Sequence, residues 1–109
     1  MAGSSGEMGN LLKQAQQMQR EFDRVQAELL EEVVSGAAGG GAVQVEVNGD
    51  GQVVGVELST ELTGLGAEAA SALETLILTA ASDGIARSKE LRKERLGRIT
   101  GGLNLPGLF

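Results

Sequence analysis

Met8, Leu11, Ala15, Met18, Phe22, Val25 and Leu29 recur at intervals of three and four residues, a spacing that gathers side chains on one side of a helix. Lys13, Gln14, Gln17, Arg20 and Glu21 lie off this seam, and no Gly or Pro interrupts positions 10–35. The pattern predicts a helix over about 9–31, whose narrow stripe suits a helical partner better than a broad globular face. The period then changes. Val33 and Val34 lead into a Gly-rich stretch from Gly36 to Gly41, which a helix tolerates poorly. Val43, Val45 and Val47 next alternate with Gln44, Glu46 and Asn48, as on a strand covered on one face. Asn48-Gly49-Asp50-Gly51 offers a tight turn, after which Val54, Val56 and Leu58 alternate again. Strands are expected at about 32–37, 42–48 and 53–58, as a three-stranded antiparallel meander. From Gly66 the helical period returns through Ala69, Leu73, Leu76, Ile77, Ala80 and Ala81, predicting a second long helix over about 67–98. Gly84 interrupts it at a cost of about 1 kcal/mol relative to Ala, so it marks either a close crossing or a bend. The class is α+β: long helix, meander, long helix, between a disordered leader (1–7) and a flexible tail (101–109). Residues 8–100 form the single domain.

Composition changes this picture in one respect. The chain has 109 residues and only two aromatics, Phe22 and Phe109, so its core is built from aliphatic side chains. A domain this small buries only about two-thirds of its unfolded surface, and a second subunit is the ordinary way to enlarge such a core. A homodimer is expected. There is no Cys and no His, which removes thiolate and imidazole chemistry together with the usual zinc ligands. Glu46 and Glu57 are expected to be cross-strand neighbours, read as solvated charge that discourages edge pairing rather than as a catalytic pair. The glycine run lacks a Gly-Lys-Ser/Thr ending, so it is no phosphate loop. Asn48-x-Asp50-x-Gln52 has Val53 and Ser59 where a calcium loop needs Gly and Glu. No enzyme activity, cofactor, metal or small-molecule substrate is expected. No apolar run approaches the length of a membrane span, and the first residues lack a signal-peptide pattern; the expected location is the cytoplasm.

The net charge of −6 argues against a nucleic-acid partner until its distribution is considered. From Gln26 to Ala86 there is no Lys or Arg, and six of the nine basic residues fall between Arg87 and Arg98. On a helix, Arg87, Arg92, Arg95 and Arg98 span an arc of about 140°. Lys89 and Lys93 continue it, with Glu90 and Glu94 opposite. Such an arc suits phosphate contacts, and equally suits a solvated helix end whose cations favour the macrodipole. Lys13, Arg20 and Arg24 on the first helix are secondary candidates, with Glu21, Asp23 and Glu28 close enough to pair with them.

Three strings resemble the YbaB/EbfC family: Gly9-Asn10-Leu11-Leu12-Lys13-Gln14-Ala15-Gln16-Gln17-Met18-Gln19, Gly39-Gly40-Gly41-Ala42-Val43 before the Val-x-Val-x-Val-Asn-Gly strand, and Gly101-Gly102-Leu103-Asn104-Leu105-Pro106-Gly107. The resemblance covers Met8 to Phe109. It implies a tweezer-like dimer with sheets joined centrally and helices projecting as arms. It also implies a nucleoid-associated protein that binds double-stranded DNA with low sequence specificity, organising the bacterial nucleoid and modulating gene expression. Ser82-Asp83-Gly84 departs from the better helix formers usual in the family, and Glu46 and Glu57 stand without the Lys that relatives place on these strands. The expected DNA contacts are therefore on the helices: Arg87, Lys89, Arg92, Lys93, Arg95 and Arg98, then Lys13, Arg20 and Arg24. The competing reading is a protein–protein interaction module without direct DNA binding, docking through the heptad face or the acidic sheet.

Overall fold

Val43, Val45 and Val47 form the buried centre of the protein, as their alternation predicts. The computed structural model describes residues 2–99, with side chains from Gly6 onward except Thr63. The elements are α1 (Ala2–Glu31), β1 (Val33–Ala38), β2 (Val43–Asn48), β3 (Val53–Leu58), a short α2 (Thr60–Thr63) and α3 (Ala70–Ile99), the last entered through a 3₁₀ turn at Ala67–Ala69. The sheet is antiparallel in the order β1-β2-β3. Gly39, Gly40 and Gly41 all have positive φ in the turn between β1 and β2, a conformation costly to residues with a Cβ. The glycine run is thus a turn.

α3 lies across β1 and β2, where Ala80 joins the valines and Leu73, Leu76, Ile77 and Ile85 pack around them. Gly36 on β1 and Gly84 on α3 meet with almost no space between their backbones. A Cβ at Gly36 would stand 2.2 Å from Ala80 O and from Gly84 N. Of the two roles open to Gly84, the close crossing is the one realised; α3 runs unbroken from Ala70 to Ile99.

A second cluster forms where α1 meets the far half of α3. Val25, Leu29 and Leu96 are buried there, with Phe22, Leu91 and Ile99 around them. Among the described residues, the seam of α1 therefore finds a helical partner in its C-terminal part alone. The turn between β2 and β3 closes the end of α1: Gly49 N–H donates to Leu29 O (2.8 Å) and Glu32 O (3.0 Å), and Asn48 Nδ2 donates to Leu30 O (3.4 Å). These bonds serve carbonyls that a helix C-terminus leaves unpaired. Asn48 is buried and satisfied on several sides, its Oδ1 accepting from Asp50 N and Gln52 N and its carbonyl from Ser88 Oγ (2.6 Å).

Three expectations need correction. The separate leader over 1–7 is instead helical from Ala2, because extending an existing helix requires no new nucleus. The first strand begins one residue later than predicted, since Glu32 N still donates to Glu28 O at the end of α1. A bulge between Glu46 and Val47 sets Val53, rather than Val54, opposite Val47. Glu46 and Glu57 are cross-strand neighbours only on the diagonal: Glu46 faces Gly55 and Glu57 faces Gln44. The short α2 has no counterpart among the predicted elements, although Ser59 signals it by accepting from Glu61 N through its hydroxyl. The predicted tail over 101–109 lies outside the described residues.

Candidate nucleic-acid interface

The orientation of α3 determines what its cations can reach. Ala80, Gly84 and Ser88 succeed one another at four-residue intervals and are buried. Leu91 and Arg95 continue that stripe, and both are half-buried. The predicted arginine arc therefore overlaps the packed side of the helix. Arg95 pairs with Glu32 at the junction of α1 and β1. Arg92 reaches Asp50 in the turn between β2 and β3 at 3.3 Å. Both bridges tie α3 to distant parts of the chain. Arg87 and Arg98 pair within α3, with Asp83 at 3.2 Å and Glu94 at 2.6 Å. Asp83 also accepts from Ala37 N at 3.2 Å, which occupies an outward donor of β1.

Lys89 and Lys93 differ. They are exposed, one turn apart on the side of α3 away from the core, and neither makes an ion pair among the described residues. On α1 the division repeats. Arg24 is held between Glu21 (2.6 Å) and Glu28 (2.7 Å), whose hydrogen bonds raise its pKa above the ordinary arginine value. Lys13 and Arg20 are exposed and unpaired among the described residues. At about 100° per residue they stand opposite the apolar seam of the same helix.

The nine predicted residues thus separate into five tied to carboxylates and four available to an external anion. Sequence reasoning locates the basic segment but misses Asp50 and Glu32 as partners, since both are far away along the chain. A signal for the orientation is present in Ala80-Gly84-Ser88, whose small residues mark the packed face and point it at Arg95. Gln44, Glu46 and Glu57 stand on the sheet face opposite the valines, which gives that surface an acidic character unsuited to phosphate. Among the described residues no cluster of acidic side chains is arranged to hold a metal, and no helix is long and apolar enough to cross a membrane.

The profile of the YbaB/EbfC DNA-binding family matches residues 5–103. The chain belongs to this family. A nucleoid-associated protein of Alkaliphilus metalliredigens is 36% identical over 98% of this chain and 92% of its own length. Another, from Acetivibrio thermocellus, is 39% identical over 98% and 94% respectively. Among solved structures, the uncharacterized protein HP0035 from Helicobacter pylori superposes with a TM-score of 0.68 at 26% identity, covering 86% of this chain and 94% of that one. Within the YbaB/EbfC arrangement, Asp83 and Gly84 have a local explanation: one bonds β1 and the other admits it.

Proposed function

We propose that the chain is a nucleoid-associated protein that binds double-stranded DNA as a homodimer, with low sequence specificity, and so organises the nucleoid and modulates gene expression from the cytoplasm. The observation carrying this reading is family membership over nearly the whole chain, with relatives named as nucleoid-associated proteins. The exposed cations supply the chemistry. Lys89, Lys93, Lys13 and Arg20 meet phosphates as charges on two helices, and backbone contacts of this kind fix a protein on a duplex without reading its bases. With two aromatics in the chain, stacking of single-stranded bases has little to work with. If all four cations act in both protomers, the logarithmic salt slope is about −7 and doubling the salt weakens binding about 100-fold. A mobility-shift titration on duplex DNA at two salt concentrations measures this. An affinity insensitive to salt would reject the reading.

The dimer rests on β3. α3 covers β1 and β2 only, so Val53, Val56 and Leu58 remain 50%, 52% and 41% exposed although they share a face with the buried valines. Beside them Leu62, Leu65, Leu73 and Leu76 line a shallow apolar hollow. An edge strand carrying exposed valines is an ordinary site for pairing with another chain, and a second copy presents the same surface in return. Clamping one duplex from two protomers then raises the effective concentration of each arm. Val56→Asp is expected to convert the dimer to a folded monomer in sedimentation and to weaken duplex binding about tenfold or more. A V56D protein that remains dimeric would place the interface elsewhere.

A further inference from the structure

The N-terminal part of α1 carries an apolar seam that the rest of the described structure leaves open. Met8, Leu11 and Leu12 are 72%, 65% and 61% exposed, on the same helix whose Val25 and Leu29 are buried against α3. The two helices run antiparallel, for Arg95 pairs with Glu32 whereas Ile99 lies beside Glu21, Arg24 and Val25. Ile99, the last described residue of α3, therefore stands at the base of the open seam, with the axis of α3 pointing along it. The sequence continues beyond Ile99 with residues 100–109, outside the described residues. This segment has no charged side chain, and it carries Leu103, Leu105, Leu108 and Phe109 within a few positions of one another.

We propose that residues 103–109 of the same chain cover the seam formed by Met8, Leu11 and Met18. The reach is sufficient. From Phe22 back to Met8 the helix rises about 21 Å, whereas the ten residues after Ile99 span about 33 Å when extended. The chemistry also matches: apolar side chains leave water on both surfaces, and the segment has no charged side chain to desolvate. Lys13 and Arg20, on the opposite side of α1, stay open to an anion while the seam is covered.

The chain contains no cysteine, so paired cysteines report the contact cleanly. In the full-length protein under a glutathione redox buffer, L11C/L108C is expected to form an intramolecular disulfide at least tenfold more readily than Q17C/L108C, whose helix position faces away from the seam. Equal yields would overturn the proposal. An intermolecular L11C disulfide in preference to the intramolecular one would also overturn it, by assigning the seam to a second copy. Independently, the full-length L105S/L108S/F109S variant is expected to speed amide exchange over residues 8–18 at least tenfold. Unchanged exchange would mean that the tail protects nothing there.

Discussion

Replacing Lys89 and Lys93 together by Gln is expected to weaken duplex DNA binding about 100- to 1,000-fold near 0.1 M salt and to reduce the salt slope from about −7 to about −4. Arg92→Gln and Arg95→Gln, although they remove the same number of positive charges, are expected to reduce affinity less than about fivefold. The contrast follows from where each cation already spends its charge. Arg92 and Arg95 are held by Asp50 and Glu32, and a phosphate gains them only by displacing those carboxylates. Lys89 and Lys93 have no such competitor among the described residues. Arg95→Gln acts on the fold instead. Glu32 already has one buried carboxylate oxygen, Oε2, without a hydrogen-bond partner, and removing its guanidinium leaves the charge uncompensated. The expected cost is about 1–3 kcal/mol, seen as a lower unfolding midpoint with DNA affinity largely kept. Titrating K89Q/K93Q and R92Q/R95Q side by side decides the matter. A greater loss in the arginine pair would return the phosphate contacts to the arc.

That arc shows how far the sequence can be read. Six cations in twelve residues locate a basic end of α3, and periodicity places them around the helix. Neither identifies the packed side, because the apolar residues that usually mark it thin out after Ile85. The core side continues there through Ser88 and Arg95, a buried hydroxyl bonded to Asn48 O and a guanidinium bonded to Glu32. Both are polar residues whose partners lie 40 or more positions away, so no local pattern announces them. The same limit explains Asp50 and Glu32, which look like solvated carboxylates until the fold brings them to α3.

Elements fixed by local periodicity are legible. The valine alternation of β2 gives both its extent and its buried face, and the glycine run at 39–41 marks a turn. The seam of α1 announces a helical partner but not how much of the helix it covers: Val25 and Leu29 are buried, whereas Leu11 is open. The offset of two helices of equal length decides this, since Leu96 and Ile99 at the end of α3 already pack beside Phe22, Val25 and Leu29. The bulge that selects Val53 over Val54 is illegible for another reason. Both valines satisfy the strand pattern, and only pairing with β2 chooses between them.

Glycines at the crossing of α3 and the sheet, set against Gly97 away from it, offer the sharpest test of the packing, because the same substitution is expected to act with opposite signs. Gly36→Ala on β1 sets a Cβ 2.2 Å from two backbone atoms of α3, and backbone cannot swing aside as a side chain can. Sheet and helix must separate, opening the layer over Val45, Val47 and Ala80. Overpacking of this severity is expected to cost about 3 kcal/mol or more, lowering the unfolding midpoint of a domain this size by more than about 12 °C. Gly84→Ala meets Val47 Cγ2 at 2.8 Å and Val45 O at 3.2 Å; it regains about 1 kcal/mol of helix propensity, so its net loss is smaller. Gly97→Ala has nothing within 4 Å of the new Cβ and should keep the whole propensity gain, stabilising the protein by about 1 kcal/mol. Thermal unfolding of the three variants therefore tests the crossing against helix propensity within one series. If Gly84→Ala stabilised as much as Gly97→Ala, α3 would not approach the sheet this closely. The alignment of its cations, set by that approach, would then have to be drawn again.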